Sequence, residues 1–156
     1  MQHLKRYEIQ ALAATVLDHG NACRIRVSGH SMLPFIAEGD IVEVSPLSNS
    51  TSPIQLGDVV LCKLGTNHYV VHRIARIIAG NQSSLTYETQ GNAAYTIDGI
   101  VTPDKILGRV ITVEHNGKRK HIDTKAQRLA GVLWIRGTPW SQRLLRLLRY
   151  AGLCRA

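Results

Sequence analysis

The chain has 156 residues and a formal net charge of +8, and 44% of its residues are hydrophobic although only 5% are aromatic. This length suits a single domain spanning residues 1–156, and the apolar fraction excludes a disordered chain. The basic excess suggests nucleic-acid binding, but the interleaved aromatics of a base-stacking surface are missing, so no specific nucleic acid is expected. The three cysteines show no metal-ligand spacing and leave an odd thiol, which favours a reducing compartment and neither a metal site nor a cofactor.

The first twenty residues predict a helix rather than a membrane span or an export signal. Apolar residues recur at helical spacing over residues 4–19, and Gly20 provides the stop. The longest apolar stretch, residues 11–17, follows charged residues and is far shorter than the roughly eighteen residues that a span needs. No small-residue cleavage site follows it. We therefore expect a helix that packs on the sheet and a cytoplasmic protein, at most peripheral to the membrane.

A serine on a constrained turn follows this helix. The sequence Gly29-His30-Ser31-Met32-Leu33-Pro34 lies just before Gly39-Asp40. Gly29 permits a backbone conformation or a close approach that a side chain would block, and Pro34 stiffens the segment after Ser31. A serine hydroxyl becomes a nucleophile only when a base removes its proton, so Ser31 needs a titratable partner from elsewhere in the chain. The alternative for Ser31 is an ordinary turn serine.

The middle of the chain predicts an all-β core. Short segments that are β-branched or alternating, and bounded by turn residues, predict strands at 24–28, 41–44, 58–63, 69–78, 85–90 and 106–115. The polar run 45–53 has no periodicity and is expected to be a mobile surface loop, whereas Asn116-Gly117 is the strongest short hairpin signal. Asp40 and Asp58 follow glycines and are expected to cap turns with their carboxylates.

His72 is the candidate base for Ser31. It follows three apolar or aromatic residues of a predicted strand, about forty residues after the serine, and histidine titrates near neutral pH. The alternative is a histidine that is merely hydrogen-bonded within a strand. His68 is the nearest competitor, but it lies roughly 13 Å away along a strand, so only one of the two can reach Ser31. His30 adjoins the nucleophile, so its side chain is expected to line a substrate groove or to face solvent.

The last part of the chain is basic and patterned for helices. We expect a β core over residues 20–115 and a helical extension over residues 118–156. The final helix carries arginines on one stripe and Trp140 and leucines on the other side. One interpretation is a weak membrane-surface association through residues 139–151, in line with the net charge. The favoured interpretation is a helix whose leucines cover the core or another chain and whose arginines face solvent, as in most soluble proteins.

The segment from Ser28 to Pro34 resembles the active-site box of the type I signal peptidases and of the wider superfamily that includes LexA-type repressors. Three later segments agree in order: residues 56–61 resemble the second Gly-Asp strand, residues 69–74 the base-carrying strand, and residues 106–110 the closing strand. Four boxes in one order make a specific signal. The resemblance implies a mainly β fold, a signal peptidase/LexA-like β-barrel core with short N-terminal and C-terminal helices. The base position holds histidine, as in the endoplasmic-reticulum and archaeal enzymes.

The resemblance also implies further site residues. Asp98 falls where the family carries an aspartate that would orient His72, which makes a Ser-His-Asp triad. Thr96 matches a hydroxyl residue that supports the base, with an ordinary strand residue as its alternative. The Ser31 N–H is the natural first oxyanion donor, and Gly29 stands where some bacterial relatives carry a serine as the second. The residues expected to contact an extended substrate are His30, Met32 and Leu33.

The implied function is a serine endopeptidase that hydrolyses a peptide bond in a peptide or precursor protein by acyl transfer, in the manner of signal-peptidase processing. One box departs from the family, because Asn92 and Ala93 stand where the family favours Asp and Asn. The alternative is a catalytically weak or self-cleaving regulatory module, like the C-terminal half of a repressor. The dipeptides that such a module could cut in itself are Ala79-Gly80, Ala130-Gly131 and Ala151-Gly152.

Overall fold

The computed structural model describes residues 6–66, 68–80, 85–137, 144 and 147. Within residues 6–137 of this set the chain forms two helices and eight strands. The helices are α1 (Arg6–Asp18) and α2 (Lys125–Arg136). The strands are β1 (Cys23–Arg26), β2 (Ile41–Pro46), β3 (Val59–Lys63), β4 (Tyr69–Ala79), β5 (Leu85–Gln90), β6 (Gly99–Val101), β7 (Ile106–His115) and β8 (Lys118–His121).

The strands form one antiparallel sheet that curls into a half-barrel. Its order is β1-β2-β7-β3-β4-β5-β6, and β8 pairs with β7 outside this path. Strand β7 is central, because it pairs with β2 along most of its length, with β3 through its first residues and with β8 through its last. The mainly β fold predicted from the sequence is confirmed.

Alternation along the strands divides the core into two clusters. In β3, Val59 and Leu61 pack in one cluster and Val60 and Cys62 in the other, since successive side chains of a strand point to opposite faces. Helix α1 covers the first cluster, which includes Leu17. The predicted packing of the N-terminal helix on the sheet is therefore confirmed. The helix is described from Arg6 to Asp18, and the predicted start at residue 4 lies outside the described residues.

The sheet extends beyond the predicted end of the β core at residue 115. Asn116 and Gly117 have positive φ and turn the chain into β8, which confirms the hairpin but places a strand where a helical extension was expected. All four residues of β8 are exposed. A strand needs only backbone partners to join a sheet, and charged side chains on an edge discourage pairing with other chains. The short strand β6 was also missed.

The serine-rich loop that was expected to be mobile is tied to the sheet. Strand β2 continues to Pro46, and a short 3-10 turn follows. The guanidinium of Arg109, on β7, donates to the hydroxyls of Ser50 and Ser52 and to the carbonyls of Ser52 and Pro53, at 2.7 to 3.1 Å. Four hydrogen bonds from one buried arginine give this loop a defined conformation.

The final helix, residues 139–151, lies outside the described residues except at two positions. Leu144 and Leu147 are helical, and their exposed fractions are 46% and 65%. These two leucines therefore do not cover the β core, and their packing against another chain stays a prediction. None of the helices that the structure describes is both long and apolar enough to cross a membrane.

Candidate active site

The turn that carries Ser31 is closed at its base by the backbone. The Val27 N–H donates to the Asp40 carbonyl (2.8 Å), and the Gly39 N–H donates to the Val27 carbonyl (2.9 Å). The Asp40 carboxylate accepts a backbone N–H three residues earlier (2.8 Å), so its predicted capping role is confirmed. Gly29 has a φ of +95°, a conformation that residues with a Cβ rarely adopt. The nucleophile candidate thus lies in a constrained turn.

Residues 91–93 form a second segment that holds the Ser31 turn through hydrogen bonds and close packing. The Ala93 N–H donates to the carbonyl of Ser31 (2.8 Å), and the Asn92 side-chain amide donates to the carbonyl of Met32 (3.1 Å). Gly91 passes so close that a Cβ built on it would lie 2.7 Å from the Ser31 carbonyl oxygen and 3.0 Å from the Ser31 Cβ. The position of Ser31 therefore depends on residues that are sixty positions away in the chain.

Strand β4 brings His72 to the serine. The distance from His72 Nε2 to Ser31 Oγ is 3.3 Å, within hydrogen-bond reach. His72 pairs with Val60 of the neighbouring strand, and only 7% of the residue is exposed. The structure thus brings together the serine and the histidine that the sequence singled out.

Asp98 lies on the other side of the imidazole. Its Oδ2 atom is 3.3 Å from His72 Nδ1, but the pair lacks the angles of a hydrogen bond, and Nδ1 is buried without a hydrogen-bond partner among the described residues. The same Asp98 oxygen accepts the Gly91 N–H, and the Asp98 N–H donates to the Thr89 carbonyl. These two hydrogen bonds hold the Asp98 carboxylate beside the imidazole.

The surroundings of His72 favour its neutral form. Burial lowers the pKa of His72 below the ordinary value of 6.5, because a low-dielectric environment disfavours the imidazolium. The Asp98 carboxylate opposes this effect and raises the pKa, and the nearby His68 lowers it further. A neutral imidazole is the form that can accept a proton from a hydroxyl, so the surroundings of His72 favour the form that a general base needs.

Arg73, the next residue along β4, is buried behind the site. Its Nε donates to Asn92 Oδ1 (2.8 Å), its Nη1 donates to the Gly57 carbonyl (2.6 Å), and its guanidinium lies over the Phe35 ring at 5.0 Å. Burial lowers the pKa of Arg73 to about 10, against the opposing charge of Asp58. Arg73 therefore remains cationic at neutral pH and organises the back of the site.

The Gly91-Asn92-Ala93 box departs from the family pattern, and its residues are hydrogen-bonded to the Ser31 turn and to Arg73. Asn92 is 1% exposed and bonds to Arg73 and to the Met32 carbonyl with its side chain. An amide suits this place because it offers an acceptor to the arginine and a donor to the carbonyl at once. Sequence reasoning missed this role, and the clue was the position of Asn92 immediately after a glycine that ends a predicted strand.

Asp58 caps its turn as predicted and also holds two arginines. Its carboxylate accepts the Gln55 N–H (2.8 Å) and lies 3.1 Å from Arg109 Nε and 3.3 Å from Arg128 Nη1. The Asp58 side chain is fully buried. This cluster joins the start of β3, the centre of β7 and the first turn of α2, so it fixes the strands that carry the site relative to the helix.

Several predicted site residues are placed differently from expectation. Met32 and Leu33 are each 2% exposed, because their apolar side chains fill the core beneath the turn, so any contact with substrate would be through their backbone and stays a prediction. His30 is partly exposed and lies 3.4 Å from Glu38, as its position beside the nucleophile led us to expect. Thr96 is exposed and forms no hydrogen bond within the described part of the chain, so nothing here supports a role in holding the base.

The backbone of the turn leaves a donor available for a negatively charged oxygen. The Ser31 N–H takes part in no hydrogen bond among the described residues, although the Ser31 carbonyl is bonded. An N–H of the nucleophile itself is well placed to stabilise the oxyanion of an acyl-transfer intermediate. Gly29 contributes the conformation of the turn, and its own part in binding an oxyanion stays a prediction.

Other features of the described residues lie apart from this chemistry. A cleft of about 420 Å³ lies among β4, β5 and the end of α2, and its lining includes Arg76 and Glu88 but neither Ser31 nor His72. Across residues 6–66, 68–80 and 85–137, no group of three or more metal-ligating side chains comes together.

Comparison with protein families identifies the chain. The family described as Peptidase S24-like matches residues 1–111. The chain belongs to the Peptidase S24-like family, within the superfamily of LexA-like and signal peptidase-like serine peptidases. A search of curated proteins finds no match. The resemblance drawn from the four boxes is confirmed, and the matched residues contain Ser31, His72 and Asp98 but neither β8 nor α2.

Proposed function

We propose that the protein is a serine endopeptidase in which Ser31 attacks a peptide carbonyl and His72 is the general base. The observation that carries this proposal is the 3.3 Å distance between Ser31 Oγ and a buried, neutral-favouring His72 imidazole. A structural histidine in a strand would not need a serine hydroxyl on a constrained turn at its Nε2 atom. The membership of a peptidase family supports the same assignment.

The proposed reaction has two halves. In the first, His72 Nε2 accepts the Ser31 proton while Oγ bonds to the carbonyl carbon, and the imidazolium then protonates the leaving amine as the peptide bond breaks. In the second, His72 takes a proton from water as the water oxygen bonds to the ester carbon. The imidazolium then returns that proton to Ser31 Oγ as the ester bond breaks and the carboxyl product leaves. The Ser31 N–H stabilises the oxyanion in both halves, and Asp98 steadies the imidazolium through Nδ1.

The substrate is proposed to bind as an extended strand beside the turn. Strand β1 is at the end of the sheet order and leads into the Ser31 turn within five residues. Its second edge has no strand partner among the described residues, so its backbone groups can pair with a peptide. The resemblance to signal peptidases suggests a small residue such as alanine just before the cut.

The geometry favours cleavage of another molecule over self-cleavage. Ala79 ends β4 seven residues after His72, which places Ala79-Gly80 roughly 23 Å along the strand from the base. Ala130-Gly131 lies inside α2 with Gly131 against Arg73, so it could reach Ser31 only if the helix unfolded. Ala151-Gly152 lies outside the described residues. The alternative of a regulatory self-cleaving module therefore has less support than a peptidase acting in trans.

A pool of synthetic peptides with alanine at many positions tests the proposal, with cleavage products identified by mass spectrometry. We expect the wild-type protein to cut after small residues, and we expect Ser31→Ala and His72→Ala to abolish cleavage. His68→Ala is the matched control and should leave cleavage largely intact. Equal loss in His68→Ala would show that the wrong histidine was chosen. Fragments of the protein itself, in place of cut peptides, would favour the self-cleaving alternative.

A further inference from the structure

Helix α2 follows the residues matched to the family and packs directly behind the site. A Cβ built on Gly131 would lie 2.1 Å from the Arg73 guanidinium carbon, so the helix approaches this closely only because residue 131 is glycine. The first turn of α2 is attached through Arg128, which bonds to the Asp123 carbonyl (2.6 Å) and lies 3.3 Å from the Asp58 carboxylate. The helix is therefore seated on the site by both charge and close packing.

Trp134, one turn further along α2, reaches the segment that supports the nucleophile. Its indole N–H donates to the Asn92 carbonyl at 2.9 Å. Its ring meets Phe35 edge to face, with centroids 6.0 Å apart and an interplanar angle of 84°. The other side of this cluster is Arg73, which contacts both Asn92 and Phe35. Four side chains from four parts of the chain thus form one connected group.

The other three residues of this group are each linked to Ser31 or His72, either by their place in the sequence or by hydrogen bonds to the Ser31 turn. Phe35 lies four residues after Ser31 on the same turn, and Arg73 directly follows His72. Asn92 holds the Met32 carbonyl, while the next residue, Ala93, holds that of Ser31. A displacement of α2 would therefore move the supports of both the serine and the base.

We propose that Trp134 and Gly131 are positioning residues, and that the docking of α2 sets the distance between Ser31 and His72. Loss of the indole N–H would leave the Asn92 carbonyl without its hydrogen-bond donor. The segment that begins at Gly91 would then shift until this carbonyl accepts a hydrogen bond from another group. Because that segment carries the bonds to the serine turn, the hydroxyl would shift relative to the imidazole. A misplacement of about 1 Å can cost on the order of a hundredfold in rate.

Trp134→Phe tests the hydrogen bond while it keeps an aromatic ring, and Leu133→Ala, at a neighbouring residue that is 62% exposed, is the matched control. The rate part of this test rests on the proposed function. We measure the rate at which a fluorophosphonate labels Ser31, at a temperature where each variant is folded. Trp134→Phe should label at least tenfold more slowly, and Leu133→Ala should label at the wild-type rate. Equal rates for the wild type and Trp134→Phe would overturn the proposal.

The pH profile of labelling separates positioning from general destabilisation. If the dyad loosens, water reaches His72 and the apparent pKa of the base in Trp134→Phe should rise toward 6.5. A loss of folded protein alone would lower the amplitude and leave that pKa in place. A slower rate with an unchanged pKa would therefore contradict the assignment of Trp134 as a positioning residue.

Hydrogen exchange of the unmodified protein tests the coupling without any variant and without enzymatic activity. The Ala93 N–H, which bonds to the Ser31 carbonyl, should exchange in the same opening event as the amides of α2, with the same dependence on denaturant. Continued protection of Ala93 after the α2 amides have exchanged would overturn the proposal. Absence of any labelling of wild-type Ser31 would instead refute the proposed function, and the exchange result would still decide the coupling.

Discussion

Adding one methyl group at Gly91 should displace the nucleophile without touching its hydroxyl. In Gly91→Ala the new Cβ would lie 2.7 Å from the Ser31 carbonyl oxygen, about 0.7 Å closer than the 3.4 Å at which ordinary contact begins. The atom in the way belongs to the backbone, so the serine turn itself must shift. A shift of this size should lower the rate of peptide cleavage by roughly ten- to a hundredfold. Overpacking should also cost about 1 to 3 kcal/mol, which lowers the melting temperature by roughly 3 to 10 °C.

Gly65→Ala is the matched control for this change. A Cβ at Gly65 meets only the His68 Cβ, at 3.7 Å, which is ordinary contact. We expect this variant to cleave peptides at the wild-type rate and to melt within a few degrees of the wild type. Cleavage and melting would be measured on both variants at one pH and temperature. If Gly91→Ala cleaves as fast as Gly65→Ala, the close approach of Gly91 does not set the position of Ser31, and the reasoning fails.

Three further predictions concern the buried titratable groups His72 and Asp58. Because the pKa of His72 is lowered, the half-maximal rate of peptide cleavage should lie below pH 6.5, so cleavage at pH 6.5 should still exceed half of its maximum. The unfolded chain binds the His72 proton at a higher pH than the folded chain, so the free energy of unfolding should fall as the pH drops below about 6.5. Urea titrations should show this fall, and the fall should be smaller in His72→Gln. Asp58→Asn should lose about 3 to 5 kcal/mol in urea titrations, since it leaves Arg109 and Arg128 without a carboxylate.

Each of these has a contrary result. A half-maximal rate above pH 6.5 would mean that the base is not the buried His72. An equal pH dependence of stability in the wild type and in His72→Gln would mean that this histidine is protonated alike in the folded and unfolded chains. A loss below about 1 kcal/mol in Asp58→Asn would mean that the two arginines find other partners, as exposed pairs do.

The proximity of Ser31 and His72 could be predicted because the turn and the strand that carry them are each marked by local sequence patterns. The glycine and proline around Ser31 and the apolar run before His72 identify a turn and a strand on their own, and the order of the boxes adds the pairing. The strands of the core were predictable for a similar reason, since alternation repeats every two residues. Where the signal was weak, as in the three-residue β6, or basic, as in β8, the strand was missed because its backbone pairing leaves no apolar pattern.

The contacts that hold Ser31 and His72 in place could not be predicted, because they join segments that are distant in the sequence. The position of Asn92 after a glycine at the end of a predicted strand marks the residue, but it does not show that the Asn92 amide joins Arg73 to the Ser31 turn or that an indole from α2 binds the Asn92 carbonyl. The apolar residue after Ser31 could equally line a groove or fill the core, and only the fold shows that Met32 is buried. Tertiary packing decides such cases.

The central claim, that Ser31 is a nucleophile activated by His72, can be tested by locating a covalent adduct. The protein is treated with a fluorophosphonate, digested, and sequenced by mass spectrometry. We expect the adduct on Ser31 in the wild-type protein and a loss of labelling in His72→Ala, because the hydroxyl then lacks its base. An adduct on another residue, or labelling of Ser31 that is as fast in His72→Ala as in the wild type, would contradict the claim.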